Sequence, residues 1–305
     1  MDNYYSIQIP FTGEDIKHLD NGAMFSTVYG DQILQAMRTI TNGIETQMGI
    51  IAKNGAGNAL GTSGTTPFAS DFDVMADMRK LLVDRGCPMD NQVTTVLNTA
   101  AGSNLRKLAQ LQKVNEAGGE ELLRRGTLLD LQQIMLKESA GIATHTAGTG
   151  ALYDVDLVAG YAVGDKTIHV DTGTGTLVQG DIITFSGDTS NKHVIGTGFA
   201  GDGDGDIVLN SGLLQAVADN EDVAIQSTYT ANLFFHKAAI ELGTRAIAKP
   251  LGGDAAVDEM TVQDPFSGLV YNISVYKGFQ KAMIEIGVLW GGKVWKEDFV
   301  GILQG

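Results

Sequence analysis

A chain of 305 residues, 43% hydrophobic and 19% charged, has ample material for a buried core, which excludes wholesale disorder and fits one large domain or two smaller ones. Its 36 acidic residues outnumber 21 basic ones, for a net charge of −15. That balance repels phosphate and argues against a dedicated DNA-binding domain.

In chain order, the first periodic segment is Gln32 to Lys53, with apolar residues at Ile33, Met37, Ile40, Ile44, Met48 and Ile51. Steps of three or four define one helical stripe, so the spacing predicts a long helix starting at Asp31 after Gly30. The glycine-rich run NGAGNALGTSGTT then predicts a mobile loop. Ser70 with Asp73 has the spacing of a capping box ahead of Val74, Met78, Leu81 and Leu82, a helix that Gly86 and Pro88 should stop. QVTTVLN reads as a strand, and GSNLRKLAQLQ and EELLRRGTLLDLQQIMLKES as two more helical stretches.

Between Gly150 and Thr228 the pattern changes. Glycine and β-branched residues dominate, and Ile168 with Val170, Ile183 with Phe185, Ile207 with Leu209, and Val223 with Ile225 each place two apolar side chains on one face of a strand. The same segment carries twelve acidic residues against Lys166 and Lys192, a balance of −10 out of −15. It predicts an acidic β module inserted into a larger α+β body. FFHKAAIELGTRAI should resume the helical pattern, and Val262 to Val294 reads as alternating strand.

Chemical motifs are weak. GVLWGGK, from Gly287 to Lys293, has the glycines and lysine of a phosphate-binding loop, but Val294 stands where the magnesium-binding hydroxyl belongs. GAGNALG from Gly55 follows a helix, where a dinucleotide site needs a preceding strand. Asp202, Asp204 and Asp206 could offer oxygen ligands to calcium, but Ile207 and Leu213 replace the glycine and glutamate of an EF-hand, so a solvated turn is the reading. His18, His145, His169, His193 and His236 lack the spacing of a helical metal pair, and no G-x-S-x-G elbow offers a nucleophile. We therefore assign no catalytic, cofactor-binding or metal-binding residue. The lone Cys87 cannot close an intrachain disulfide and reads as a core residue of a protein made in a reducing cytoplasm. No apolar stretch reaches the roughly 18 residues of a membrane span, and MDNYYSIQIPF lacks the features of a secretory signal, which predicts a soluble, unexported chain.

Four segments in fixed order carry a resemblance: LNTAAGSNLRKLAQLQKVNEAG from Leu97, LLRRGTLLDLQQIMLKESAGIATHTAGTG from Leu122, NLFFHKAAIELGTRAI from Asn232 and DPFSGLVYNISVYKGFQKAMIEIGVLWGGKV from Asp264. Together they resemble a tailed-phage major capsid protein of the P-twenty-two-like coat type, from about Ile7 to the C terminus. The resemblance implies an HK-ninety-seven-type capsid fold. Residues 1–27 would then be an extended-loop remnant and 28–66 the spine helix with its following loop. Residues 67–149 and 229–261 would form the axial domain, 150–228 an inserted β-barrel, and 262–305 the C-terminal peripheral strands and tail.

Further expectations follow from the likeness. It implies no enzyme, but a structural subunit that self-assembles into hexamers and pentamers of an icosahedral shell around double-stranded DNA. Partners would be portal and scaffolding proteins, a decoration protein on the shell and weak nonspecific contact with packaged DNA, with no membrane. Assembly would take place in the bacterial cytoplasm and the product would be a virion. The Asn54 to Thr66 glycines would serve as hinges between five- and six-membered rings. Such coat proteins usually have a longer segment before the spine helix, so MDNYYSIQIPFTGEDI matches only the returning strand of their extended loop and gives no reason to expect covalent crosslinking. The rival expectation is a tail or fibre component whose β module binds a host surface.

Overall fold

Strands dominate a computed structural model of the chain that describes residues 3–20, 25–113, 128, 130–265 and 267–305. The N-terminal half begins with β1 (Asn3–Thr12), α1 (Gly13–Asp20), α2 (Phe25–Asn54), β2 (Asn58–Leu60) and α3 (Val74–Asp84). It continues through β3 (Val93–Leu97), α4 (Thr99–Lys107), α5 (Ala109–Gln112), β4 (Asp130–Leu131), β5 (Ile134–Glu138) and β6 (Thr144–His145). Eight strands follow without a helix: β7 (Tyr153–Val155), β8 (Thr167–Gly173), β9 (Thr176–Leu177), β10 (Ile182–Phe185), β11 (Asp188–Thr197), β12 (Phe199–Ala200), β13 (Gly203–Leu209) and β14 (Asp222–Ile225). The chain ends with β15 (Tyr229–His236), β16 (Ile240–Arg245), β17 (Ala256–Gln263), β18 (Val270–Gly278), β19 (Lys281–Val294) and β20 (Val300–Gln304). Two compact units divide these elements. One comprises Met1–Met48 with Leu242–Gly292, the other Gly49–Glu241 with Lys293–Gly305.

In the first unit the sheet runs β1-β19-β18-β17, with β16 also on β19. β1 pairs β19 antiparallel over ten residues, from Asn3 opposite Trp290 to Thr12 opposite Lys281. Alternation fixes the register, because a slip of one residue would turn Ile284, Ile286, Val288 and Trp290, all buried, to the other face. α2 lies against this sheet. Phe11 stacks on Tyr29 with ring centroids 3.9 Å apart, and the Thr41 hydroxyl meets the Tyr271 hydroxyl at 2.7 Å. The apolar stripe read from the sequence is the packed one, with Ile40 and Ile44 nearly inaccessible. The helix begins at Phe25, ahead of the expected start at Asp31, since a Gly30 with open space around its Cα fits a helix interior without strain.

The second unit holds one long sheet, ordered β10-β14-β7-β8-β13-β11-β2-β20-β15-β3-β5-β4. A further pairing of β10 with β11 closes the first six strands into a ring. Tyr153, Ile168, Val170, Ile183, Phe185, Ile195 and Ile207 fill its interior as a core of its own. This ring belongs to the same compact unit as the rest of the long sheet. A different core gathers Met75, Met78 and Leu82 of α3 with Leu97, Leu105, Ile134 and Phe234, under β3, β5 and β15.

Several expectations are corrected. FFHKAAIELGTRAI does not resume a helix: it forms the end of β15, a short 3-10 turn at Lys237–Ala239, and β16. Within EELLRRGTLLDLQQIMLKES, residues 130–131 and 134–138 are strands β4 and β5, while residues 120–127 lie outside the described residues. The capping box before α3 is not formed. Asp73 caps without a side-chain hydrogen bond, and the Ser70 hydroxyl donates to Asp71 Oδ2 at 2.9 Å instead. The far end behaves as read: Gly86 takes φ +78° and the Cys87 N–H reaches back to Leu82 O at 2.9 Å. GSNLRKLAQLQ is helical, broken at Leu108 into α4 and α5, and the Asn98 side chain caps α4 by accepting from Ala101 N at 2.8 Å.

The expected hinge is also corrected. Residues 58–60 are a strand inside the long sheet, parallel to β20, and Ala56, Asn58 and Ala59 are buried. A Cβ on Gly57 would stand 2.7 Å from Glu297 O and 2.8 Å from Ser211 Cβ, and one on Gly55 would stand 2.8 Å from Val294 Cβ. These glycines permit close packing; they do not make a free joint.

Candidate functional site

Where the chain runs into the ring and out again, a buried polar chain links three elements. Lys53, in the last turn of α2, brings its Nζ to 2.8 Å from Nδ1 of His145 on β6. His145 Nε2 lies 2.8 Å from Oδ1 of Asp181, in the turn before β10. Asp181 also accepts from Gly148 N at 3.0 Å and from Val178 N at 2.8 Å, so its carboxylate is saturated. All three side chains are buried. Burial pulls the Lys53 ammonium below its ordinary range, and the Asp181 charge opposes that pull. Tyr229, opposite His145 in the β15–β6 pairing, donates its hydroxyl to Gly180 O at 2.6 Å.

A second polar group fixes the ring's turn at residues 210–212. Arg85, just past α3, donates to Asn58 Oδ1 at 3.0 Å and through both terminal nitrogens to Gly212 O at 3.2 Å. Asn210 donates to the carbonyls of Asn54 and Ala56, and Lys166 bridges Asn210 O and Glu297. These contacts satisfy backbone groups that the largely buried turn would otherwise leave bare.

On the ring's outer face lies the acid. Asp222 pairs directly across from Asp154, and Asp154 from Asp171. Like charges in facing positions repel, so this ladder lowers the stability of the sheet that carries it. Asp204 and Asp206, read as part of a solvated turn, stand on β13 and hold His169 between them at 2.9 and 2.6 Å. The hydrogen bond to Asp206 is the main cause of a raised His169 pKa. Asp202 instead accepts from Gly175 N at 2.7 Å. Among the described residues no group of three or more His, Cys, Asp or Glu side chains is arranged to hold a metal ion.

The remaining candidates disperse. His236 meets Asp90 at 3.0 Å. His193 is buried with neither ring nitrogen hydrogen-bonded, and desolvation brings its pKa down to about 4. Burial pushes the Cys87 thiol up to about 11, which keeps it unreactive. GVLWGGK is the C-terminal half of β19, an extended strand whose residues Gly287 to Trp290 pair with β1, so its backbone cannot curl around a phosphate. His18 lines a cleft of about 880 Å³ between β1, α1 and α2, with Ile7, Ile9, Phe11, Asp31 and Gln35. No helix among the described residues is long and apolar enough to cross a membrane. Sequence reading had no means of finding the Lys53–His145–Asp181 chain, whose first link spans 92 positions and whose second spans 36.

No protein-family description matches the sequence, and no curated protein does. Solved structures do match. A chain of Mycobacterium phage Che8 is similar over 99% of this chain and 70% of its own length, with a TM-score of 0.50 at 13% identity. The two chains share a fold. Two further structures match over 99% of this chain: the capsid of the cyanophage P-SCSP1u, at 11% identity over 72% of its chain with a TM-score of 0.48, and the mature capsid of bacteriophage PhiM1, at 12% over 71% with 0.45. The mixed α and β architecture described above is thus one that a phage protein also adopts, from one end of this chain to the other.

Proposed function

We propose that this chain is the major capsid protein of a tailed double-stranded DNA phage, a structural subunit and not an enzyme. The observation that carries the reading is the likeness in fold to the Che8 phage chain across 99% of this sequence. The four ordered segments that resemble P-twenty-two-like coat proteins support it independently. On this reading the fold is of the HK-ninety-seven type. Residues 1–27 are the extended-loop remnant, residues 28–66 carry the spine helix, α2, and its following loop, and residues 262–305 are the C-terminal peripheral strands and tail. Residues 67–149 and 229–261 form the axial domain, and residues 150–228, which include the closed ring, are the insertion on the outer surface of the shell. The acidic ladder suits such a place, because like-charged exteriors keep particles apart.

Function then comes from repetition. Each copy meets several neighbours in hexamers and pentamers, so modest contacts add up to a stable container. Portal and scaffolding proteins direct assembly, a decoration protein binds the finished surface, and packaged DNA touches the inner wall weakly, because the chain outside the ring is close to neutral. The assembled product is the virion, formed in the host cytoplasm. Sedimentation velocity of the chain co-expressed with its scaffold tests the proposal. Closed shells sediment as a megadalton species. A tail or fibre component would stop at small rings or trimers, and a monomer under every condition would refute assembly altogether.

A further inference from the structure

We propose that Lys53, His145 and Asp181 form an acid-sensitive latch: a proton added to His145 breaks its bond from Lys53 and frees the last turn of α2 from the strands that carry the chain into and out of the ring. Hydrogen-bond parity carries the argument. An ammonium has donors only, so Lys53 can approach His145 Nδ1 at 2.8 Å only if that nitrogen accepts. The proton of the neutral imidazole then sits on Nε2, where it donates to Asp181 Oδ1 at 2.8 Å. Both bonds of the chain run in one direction, from Lys53 through the ring to Asp181, and the buried charges of Lys53 and Asp181 cancel across a neutral ring.

A second proton has no place in that arrangement. On Nδ1 it would point a donor at a donor and set two cations side by side where burial makes each costly. The charged and titratable groups facing His145 are Lys53 from α2, Asp181 from the turn before β10, and Tyr229 from β15, whose ring centroid is 5.0 Å away. Tyr229 cannot relieve the conflict, since its hydroxyl is committed to Gly180 O. Asp181 remains a good partner for the imidazolium, so Lys53 is the member displaced.

An acceptor waits for it. Asn54 Oδ1 is buried without a hydrogen-bond partner. Gly180, at φ +92°, has no side chain, and the point where its Cβ would stand lies 3.2 Å from Asn54 Oδ1, 3.2 Å from His145 Cε1 and 3.3 Å from Lys53 Nζ. The three groups thus crowd around Gly180, where no side chain separates them, and Asn54 Oδ1 is the unpartnered acceptor of that cluster. Loss of the Lys53 bond leaves His145 and Asp181 paired on the strand side, and the end of α2 is then held by the bond from Asn210 to Asn54 O alone. This latch lies within one subunit and does not depend on the shell reading.

Hydrogen exchange of the whole purified chain tests it, with rates corrected for intrinsic pH effects and with peptides covering residues 93–97 as the internal reference for global stability. Between pH 7.5 and pH 5, peptides covering residues 49–57 and 144–148 should lose about tenfold more protection than the reference. In Lys53→Met, which has no ammonium to displace, that extra loss should vanish. Nitrogen chemical shifts of His145 give a second readout on the unmodified chain, and at pH 7.5 they should report the Nε2–H tautomer. Equal protection changes in all segments, an extra loss retained in Lys53→Met, or an Nδ1–H tautomer would each overturn the latch. Should Lys53→Met not fold, the wild-type exchange and the tautomer decide the matter.

Discussion

Gly57 has no room for a side chain, and Gly49 has room to spare. The first packs against Glu297 O and Ser211; the second sits within α2 with nothing within 4 Å of its would-be Cβ. Gly57→Ala should therefore destabilise the chain by roughly 1–3 kcal/mol through overpacking, whereas Gly49→Ala should stabilise it by about 0.5–1 kcal/mol through helix propensity. Urea midpoints of the two variants measure both, and their opposite signs distinguish packing from a general intolerance of change. His193 gives the pH dependence at this scale. Its pKa falls to about 4 in the fold from 6.5, so below pH 6.5 the unfolded chain takes up a proton that the folded one refuses. Its contribution is complete above 6.5 and is lost as pH drops towards 4, by on the order of 3 kcal/mol at most. His169 has the opposite sign: its raised pKa adds stability that is lost as pH rises through the folded value. Comparing wild type with His193→Leu at pH 7 and pH 4.5 isolates the buried residue. The variant should show the shallower loss in acid, and parallel losses would contradict the assignment.

At the scale of elements, legibility followed solvent. Most ring strands face the ring core on one side and water on the other, so their alternation survives in sequence, and the apolar pairs named there are the buried ones, except that Ile225 is only partly covered; β10 is buried on both faces. β15 lies between β20 and β3 and buries residues on both faces, as the run Ala231 to Phe234 shows. Such a strand keeps no period of two, and its apolar run followed by Lys237 to Ala239 imitates a helical stripe. β5 misled for a related reason: it pairs in parallel with β3, beside a core that buries Ile134 and Leu136. The long helix was legible because one stripe alone faces the sheet, whereas its first turns were hidden behind a glycine that reads as a break. None of the polar chains was legible, since Lys53, His145 and Asp181 meet only once the sheet is closed. A core this separate makes a sharp test. Ile207→Ala removes a fully buried side chain from the ring interior and should cost about 2–5 kcal/mol. Val158→Ala, at a position 90% exposed, should change stability by less than about 0.5 kcal/mol.

For the whole molecule, the account rests on what many copies do together. The acidic outer ladder weakens its own sheet, and under the proposed capsid function an exterior that must not aggregate would give that cost a purpose. The open edge of β17, with Val257 and Met260 exposed, and the apolar cleft beside β1 are surfaces of the kind that neighbours cover in an assembly. Contacts of that sort are noncovalent. Particles heated in denaturant and reductant should run as a single band near 32.3 kDa, and a ladder of multimers would show crosslinking that the account does not contain. The most direct measurement is cryo-electron microscopy of the chain assembled with its scaffold. The account predicts closed icosahedral shells built from rings of five and six copies, with residues 150–228 projecting outward. Tubes, fibres or isolated subunits, or shells with that segment facing the lumen, would contradict it.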